Sequence, residues 1–475
     1  MKKYYLIICL FLLACTKQEV EQKQDEDTPM PNIILIMADD LGWGDTGYNG
    51  HPHILTPNLD SMAANGVVFE RFYAAAPVCS PTRGSCLTGR NPNRYGIFSA
   101  NVGSLPKEEI TLAELLKERG YATGHFGKWH LGTLTKDTLD ANRGGKPKFI
   151  EEFSPPSYHG FDENFSTESK VPTWNPMHTP EKEAGGVGKQ GLGNFFGTAY
   201  WGEQGNRITE NLEGDDSRVI MDRVIPFIQK SVETQQPFFT VIWFHTPHTP
   251  VVAGKNYLDL YKDLSEEQQH YYGCVTAMGE QIGRLRQTLK DLGIHQNTLT
   301  FFTSDNGPEN DNNRPRSVGI TKGLSERKRS LKEGGIRVPG LLEYPTLFKS
   351  KQVVKAPFFT SDYLPTVIDI LDIQFPDNRP LDGVSLLDEQ VNIKKHRPPL
   401  VFKYYKQAAV MEGKYKIYSV DEGQNFSLFD LESDPKETTD ISAAQKDEKE
   451  KLLQHWIKWE ASQENSLRGK DYEND

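Results

Sequence analysis

The sequence predicts an α/β fold: a large, mixed and mostly parallel sheet flanked by helices, followed by a small C-terminal antiparallel sheet with a helix. Three observations carry this. Four runs, Asn32–Met37, Tyr121–Phe126, Pro237–Phe244 and Leu299–Thr303, are apolar on both strand faces, as buried parallel strands are. Helix signals fall between them. After residue 390 the pattern changes, with alternation around Gly413 and Gly423 giving way to an amphipathic stretch.

The elements follow in order. The first run stops on Asp39 and Asp40. Thr111 with Glu114 forms a capping box, Leu112, Leu115 and Leu116 supply a buried stripe, and Gly120 ends the helix before the second run. That run leads into Gly127-Lys128-Trp129-His130, the third into His245 to His248, and the fourth into Asp305-Asn306. Ligands of open α/β sheets sit beyond the carboxyl ends of the strands, so four chemically active endings point at one crevice. Gln268–Leu292 and Asp362–Leu371 read as further helices, and residues 31–390 as one catalytic domain. Ala408–Val420 and Ser427–Leu431 read as antiparallel strands and Ser442–Ser462 as a helix, giving a small α+β subdomain over 391–475. The Gly-rich segment Gly185–Gly197 reads as a mobile loop.

The chain of 475 residues exceeds one ordinary core and can bury a deep pocket. With 24 Phe, 19 Tyr and 7 Trp it is a globular composition rather than a disordered one. The net charge is 54 − 65 = −11, without basic blocks, which argues against nucleic acid as a partner. Lys2 and Lys3 precede the apolar run Leu6 to Leu13, which is too short to span a bilayer and reads as a secretory signal over 1–14. Leu12-Leu13-Ala14-Cys15 resembles a bacterial lipobox, implying lipid on Cys15 and a polar tether over 15–30; a plain cleaved signal is the alternative. The expected location is that of an exported lipoprotein of the outer membrane, facing the surface or the periplasm. Cys86 and Cys274 are either bridged or simply buried.

The most informative segment is Cys79-Ser80-Pro81-Thr82-Arg83-Gly84. Pro81 suits a first helical turn, placing Cys79 at a helix N-terminus where backbone N–H groups favour an anion, and Arg83 adds a planar donor fork. Asp39, Asp40, Asp305 and the Asn306 amide oxygen are hard ligands, and no His/Cys cluster has zinc spacing, so calcium is favoured. Each motif alone has a plainer explanation: Asp-Asp as a turn, Asp-Asn-Gly as a type I′ turn, Lys128 as a surface group, His130 as a satisfied core residue.

The Cys79 string resembles the signature of type I sulfatases of the alkaline-phosphatase-like superfamily, in which that cysteine becomes formylglycine during export. Asn32–Asp40, Gly120–Gly132, Pro247-His248, Ser304–Gly307 and Lys328–Pro339 match family blocks in the same order. Thr82 stands where Ser is commoner. The resemblance implies hydrolysis of sulfate esters by a formylglycine hydrate and one Ca2+ ion held by Asp39, Asp40, position 79, Asp305 and Asn306. It assigns Arg83 and Lys128 to holding the hydrate and His130 to deprotonating its second hydroxyl. His248 and Lys328 would contact the sulfate and protonate the leaving alcohol; Asp305 is the candidate for activating the attacking hydroxyl. It further implies a formylglycine-generating or sulfatase-maturating enzyme as partner and, from similarity to exported bacterial enzymes, a sulfated polysaccharide or oligosaccharide as substrate. Two rival functions share the fold: a phosphodiesterase or phosphonate monoester hydrolase, and a non-catalytic glycan-binding protein. His245 is a further candidate for the site. Residues 158–207, an aromatic-rich stretch with Trp174, His178, Phe196, Trp201 and Arg207, are expected to form one wall of a sugar pocket beside Cys79.

Overall fold

The computed structural model describes residues 29–182, 188–309 and 316–473; the signal, the lipobox cysteine and most of the tether lie outside them. Residues 31–475 form one compact unit.

Its backbone is a ten-stranded sheet. Five strands at its centre run parallel, in the order Thr298–Ser304, Asn32–Ala38, Phe238–Trp243, Ala122–Lys128 and Glu163–Thr167. The expected runs supply four of these. Glu163–Thr167 escapes the apolar-run criterion because it reads Glu-Asn-Phe-Ser-Thr, and its Asn164 is used to bond Trp201 O. Leu341–Glu343 adds antiparallel on one side and Tyr200–Gly202 on the other.

Strand alternation divides the core into two layers. On one face, Ile34 and Ile36 pack with helices Pro57–Asn65, Asp216–Glu233 and Glu266–Asp291 through Met62, Val219, Val224, Met278 and Ile282. On the other, Ile33, Leu35 and Met37 meet helices Cys79–Thr88, Leu112–Glu118 and Tyr363–Ile370 through Leu87, Leu115, Leu116 and Leu364. The Thr111–Glu114 capping box forms as expected, and Gly120 takes φ +82 behind the helix.

The C-terminal region is a four-stranded antiparallel sheet, Leu400–Tyr404, Gln407–Glu412, Tyr415–Ser419 and Ser427–Asp430. Helix Lys446–Leu467 covers one face with Leu452, Trp456 and Trp459. The other face shares a core with Tyr73, Leu331, Ile336 and Phe359, of which Tyr73 and Phe359 lie in a separate three-stranded sheet of Arg337–Val338, Phe72–Tyr73 and Phe358–Phe359, so the C-terminal region packs directly on the catalytic region. The expectation of a loop over Gly185–Gly197 is corrected in part: Gly188–Phe195 is a strand paired with His178–Lys182. Cys86 and Cys274 are both buried and free, which removes the disulfide.

Candidate active site

All five parallel strands deliver polar residues at their carboxyl ends. Asp39 and Asp40 leave Asn32–Ala38, and Asp305 and Asn306 leave Thr298–Ser304 one strand away. The turn after Phe238–Trp243 contains two cis X-Pro bonds, Thr246-Pro247 and Thr249-Pro250, and carries His248 between them. Lys128 closes Ala122–Lys128, and His130 follows at φ +58, so the segment turns instead of continuing the extended conformation that its spacing suggested. Cys79 opens the helix Cys79–Thr88 with Val78 as N-cap, and Arg83 sits one turn on.

These side chains converge. The Cys79 thiol donates to Asp39 Oδ1 at 3.5 Å, and Lys128 Nζ donates to Asp39 Oδ2 at 2.7 Å. Arg83 donates through Nη2 to Asp305 Oδ2 at 2.7 Å and through Nη1 to Lys128 O at 3.1 Å. Asp305 Oδ1 accepts from the Asp40 backbone at 3.1 Å, so both its oxygens are engaged and Asp39 is the carboxylate that meets Cys79. Lys328 Nζ donates to Asp40 Oδ1 at 2.5 Å, where Asn306 Nδ2 also donates at 2.7 Å.

Two oxygens are left over. Asp40 Oδ2 and Asn306 Oδ1 are buried without a hydrogen-bond partner, although buried acceptors almost always have one. Turning its NH2 to Asp40 and Gly307 O leaves the Asn306 carbonyl oxygen facing elsewhere. Ligand atoms of Asp39, Asp40, Cys79 and His248 lie within 4.8 Å of one another. An oxygen-rich group with orphaned acceptors fits a divalent hard cation.

The electrostatics are those of a buried charge network. Burial opposes ionisation of Asp40, yet Lys328 holds its carboxyl well below the usual range. Burial and then the Asp39 charge push Asp305 up to about 6, against the pull of Arg83. Lys328, despite burial, is held firmly protonated by Asp40. Burial, reinforced by Asp305, raises the Cys79 thiol to about 12. His130 and His248 are driven far below the ordinary imidazole range, first by burial; Lys128 adds to this at His130, and at His248 Asp40 opposes it while Lys328 offsets part of that opposition. Both imidazoles are therefore neutral at neutral pH. His130 Nε2 meets Asn101 Oδ1 at 2.8 Å and its Nδ1 is unpartnered; an Nε2–H tautomer leaves Nδ1 with a lone pair.

A cleft of about 470 Å³ opens over Cys79, His130, His248 and Lys328. Its outer lining includes Asn142, Lys170, Phe196, Arg329 and Tyr404; Phe196 belongs to the aromatic-rich stretch noted in the sequence, and sequence patterns singled out none of the other four. Arg329 had a local signal in the basic triplet Arg327-Lys328-Arg329; Tyr404 arrives from the C-terminal sheet and had none. Of the expected sugar wall over residues 158–207, the cleft is lined by Ser169, Lys170, Phe196 and Thr198 but by none of Trp174, His178, Trp201 and Arg207. Trp201 is a core residue, and Trp174 packs so tightly over Gly254 that a Cβ there would lie 2.2 Å from its ring. His178 and Arg207 line a separate pocket of about 170 Å³. His245 is also displaced from the cleft: its ring nitrogens are satisfied by Asp216 at 2.8 Å and Thr167 at 2.6 Å.

Strand-end carboxylates around a helix-initiating cysteine, on this mixed sheet, define an alkaline-phosphatase-like hydrolase. The chain belongs to the sulfatase family, whose family profile matches residues 31–373, and it is a sulfuric ester hydrolase. Residues 325–463 match the C-terminal region of N-sulphoglucosamine sulphohydrolase. N-acetylgalactosamine-6-sulfatase of Sus scrofa is 32% identical over 409 residues, 82% of this chain and 71% of that protein. An ulvan-active sulfatase of Formosa agariphila is 29% identical over 458 residues, 90% of this chain and 80% of its own length. The crystal structure of Ps i-CgsB in complex with k-i-k-neocarrahexaose superimposes with a TM-score of 0.76 at 28% identity, covering 91% of this chain and 93% of that one.

Proposed function

We propose that this sulfatase desulfates a sulfated polysaccharide or oligosaccharide, with Cys79 matured to formylglycine and a calcium ion held by Asp39, Asp40, Asp305 and Asn306. The observation that carries the proposal is the pairing of a thiol pushed up to about 12 with two orphaned oxygens, Asp40 Oδ2 and Asn306 Oδ1. A thiol so protonated is no nucleophile at neutral pH, whereas the same position as an aldehyde hydrate lies against Asp39, Lys128 and the helix N-terminus. A hard cation there supplies charge neutralisation for the sulfate oxygens and the nucleophile.

The chain's own residues complete the chemistry. Arg83 and Lys128 fix the carboxylates on either side of position 79. His130, neutral and with Nδ1 unpartnered, can take a proton. Lys328, held protonated beside Asp40, can donate a proton to the leaving alcohol oxygen, while His248 donates from Nδ1 to Thr249 O at 2.7 Å and keeps its Nε2 lone pair towards the site. The glycan substrate is supported by the names of the relatives, which include an N-acetylgalactosamine-6-sulfatase and an ulvan-active sulfatase. Export, lipid on Cys15, an outer-membrane location and a maturating enzyme as partner belong to the same proposal and rest on the N-terminal motif.

Protein from a host with the maturation system should show an aldehyde at position 79 by peptide mass spectrometry and hydrolyse an aryl sulfate faster than an aryl phosphonate ester. Chelation should abolish turnover, calcium should restore it, and Cys79→Ala should be inactive. Full activity with an unmodified thiol, or a preference for the phosphonate, rejects the proposal.

A further inference from the structure

The cleft lining holds three basic side chains, Lys170, Lys328 and Arg329. Its deep end uses Lys328, His130 and His248, yet Arg329 and Lys170 stand further out on the lining, and both are exposed. Asp140 is the acid in that lining, and its oxygens already accept from Thr198 Oγ1 at 2.6 Å and Asn142 N at 2.9 Å.

Arg329 is tied down on several sides although its side chain is 45% exposed. It takes φ +75, a conformation that costs a non-glycine residue about 1 kcal/mol and persists only where its surroundings fix it. Its backbone N–H donates to Pro77 O at 2.8 Å, and its carbonyl accepts from Gln407 Nε2 at 2.8 Å. Gln407 Oε1 in turn accepts from Leu331 N at 2.8 Å, so one C-terminal side chain clamps both sides of the turn. Glu309 holds the guanidinium through both Nη atoms. A guanidinium has five N–H donors, more than one carboxylate consumes.

We infer that Arg329, joined by Lys170, forms a second anion subsite, and that the preferred sugar carries a carboxylate or a second sulfate besides the ester that is cleaved. The inference rests on the sulfatase assignment and places the selectivity chiefly on Arg329, in the loop after Lys328, with Lys170 as the contribution of the 158–207 segment. A pre-positioned guanidinium suits either anion, through paired charge-assisted hydrogen bonds.

The test compares kcat/KM of the matured protein on three sulfated disaccharides: one with a free uronate, its methyl ester, and one with a second sulfate. The wild type should favour a doubly anionic member over the ester. Arg329→Gln should reduce that preference by about tenfold or more, chiefly through KM, and Lys170→Gln by less; Arg329→Lys should recover some of it. A larger loss on the uronate assigns the subsite to carboxylate, a larger loss on the disulfated sugar to sulfate. Equal turnover of ester and free acid by the wild type, or equal losses on all three in Arg329→Gln, overturns the inference. If the wild type cleaves no sulfate ester, the sulfatase reaction fails separately, and calorimetric binding of the same three sugars decides the subsite. Selective binding lost in Arg329→Gln upholds it, and indifferent binding rejects it.

Discussion

A residue's chemistry in this protein is set by what burial leaves it to bond with. Asp39 and Asp40 are neighbours in sequence, yet Asp39 meets Cys79 and Lys128 while Asp40 meets Lys328 and Asn306. Sequence spacing identified both as hard ligands, but not the engagement of Asp305 by Arg83, because that contact joins a strand end to a helix 222 positions away. His159 gives a clean case outside the site. Its Nε2 meets Ser154 Oγ at 2.6 Å, its ring lies 5.8 Å from Trp129, and burial, with Lys107 adding a little, pulls it down to about 3. The unfolded chain therefore binds this proton first as pH falls, so stability present above pH 6.5 is lost progressively towards pH 3. Between pH 6.5 and 5 the loss is about 2 kcal/mol. His159→Gln, whatever it costs at pH 7, should show a smaller drop in melting temperature from pH 7 to pH 5 than the wild type. An identical slope would show that His159 titrates normally in the folded state.

Among elements, those whose buried residues are mostly apolar were legible and those built from polar residues or glycine were not. Asn32–Ala38 and Thr298–Ser304 announce themselves because every side chain is buried, so the whole run is apolar or small. Glu163–Thr167 did not, and the hairpin of His178–Lys182 with Gly188–Phe195 was hidden by its glycines. The tryptophans of that region read as a sugar wall because aromatic content does not distinguish a ring that packs inwards, like Trp201, from one that meets a ligand. Gly127 shows what a motif conceals. It pairs with Trp243 in parallel register at φ +105, and an added Cβ would lie 2.0 Å from the Trp243 carbonyl oxygen. Gly120, at φ +82, has open space around it. Gly120→Ala should thus cost only the left-handed strain, about 1–2 kcal/mol, whereas Gly127→Ala must also push a pair of central strands apart. Urea midpoints should rank wild type, Gly120→Ala and Gly127→Ala in falling order, and equal midpoints for the two variants would refute the close approach.

The molecule as a whole is built so that the C-terminal sheet finishes the active site. Composition marks the change of pattern near residue 390, but pattern alone cannot say whether two regions share a core. The shared core is polar at its centre: Lys416, fully buried on Tyr415–Ser419, pairs with Glu333 Oε1 at 3.1 Å and Glu437 Oε1 at 2.9 Å. Glu333 also accepts from Tyr73 OH at 2.9 Å and opens the short helix Glu333–Ile336 that follows the Lys328 loop. Glu333 is kept ionised by Lys416 against the cost of burial. Lys416→Met would leave two carboxylates facing each other in the core, which costs about 3–5 kcal/mol, far more than loss of a surface pair. Because Lys416 lies on the C-terminal sheet and Glu333 in the catalytic region, the damage should spread to both. Calorimetry should show one transition in the wild type, and in Lys416→Met one transition at a lower temperature, with aryl sulfate turnover falling alongside through the displaced Lys328 loop. A second, separate transition in either protein would mean that the C-terminal sheet unfolds on its own, and unchanged turnover in a destabilised Lys416→Met would mean that the Lys328 loop is held without it.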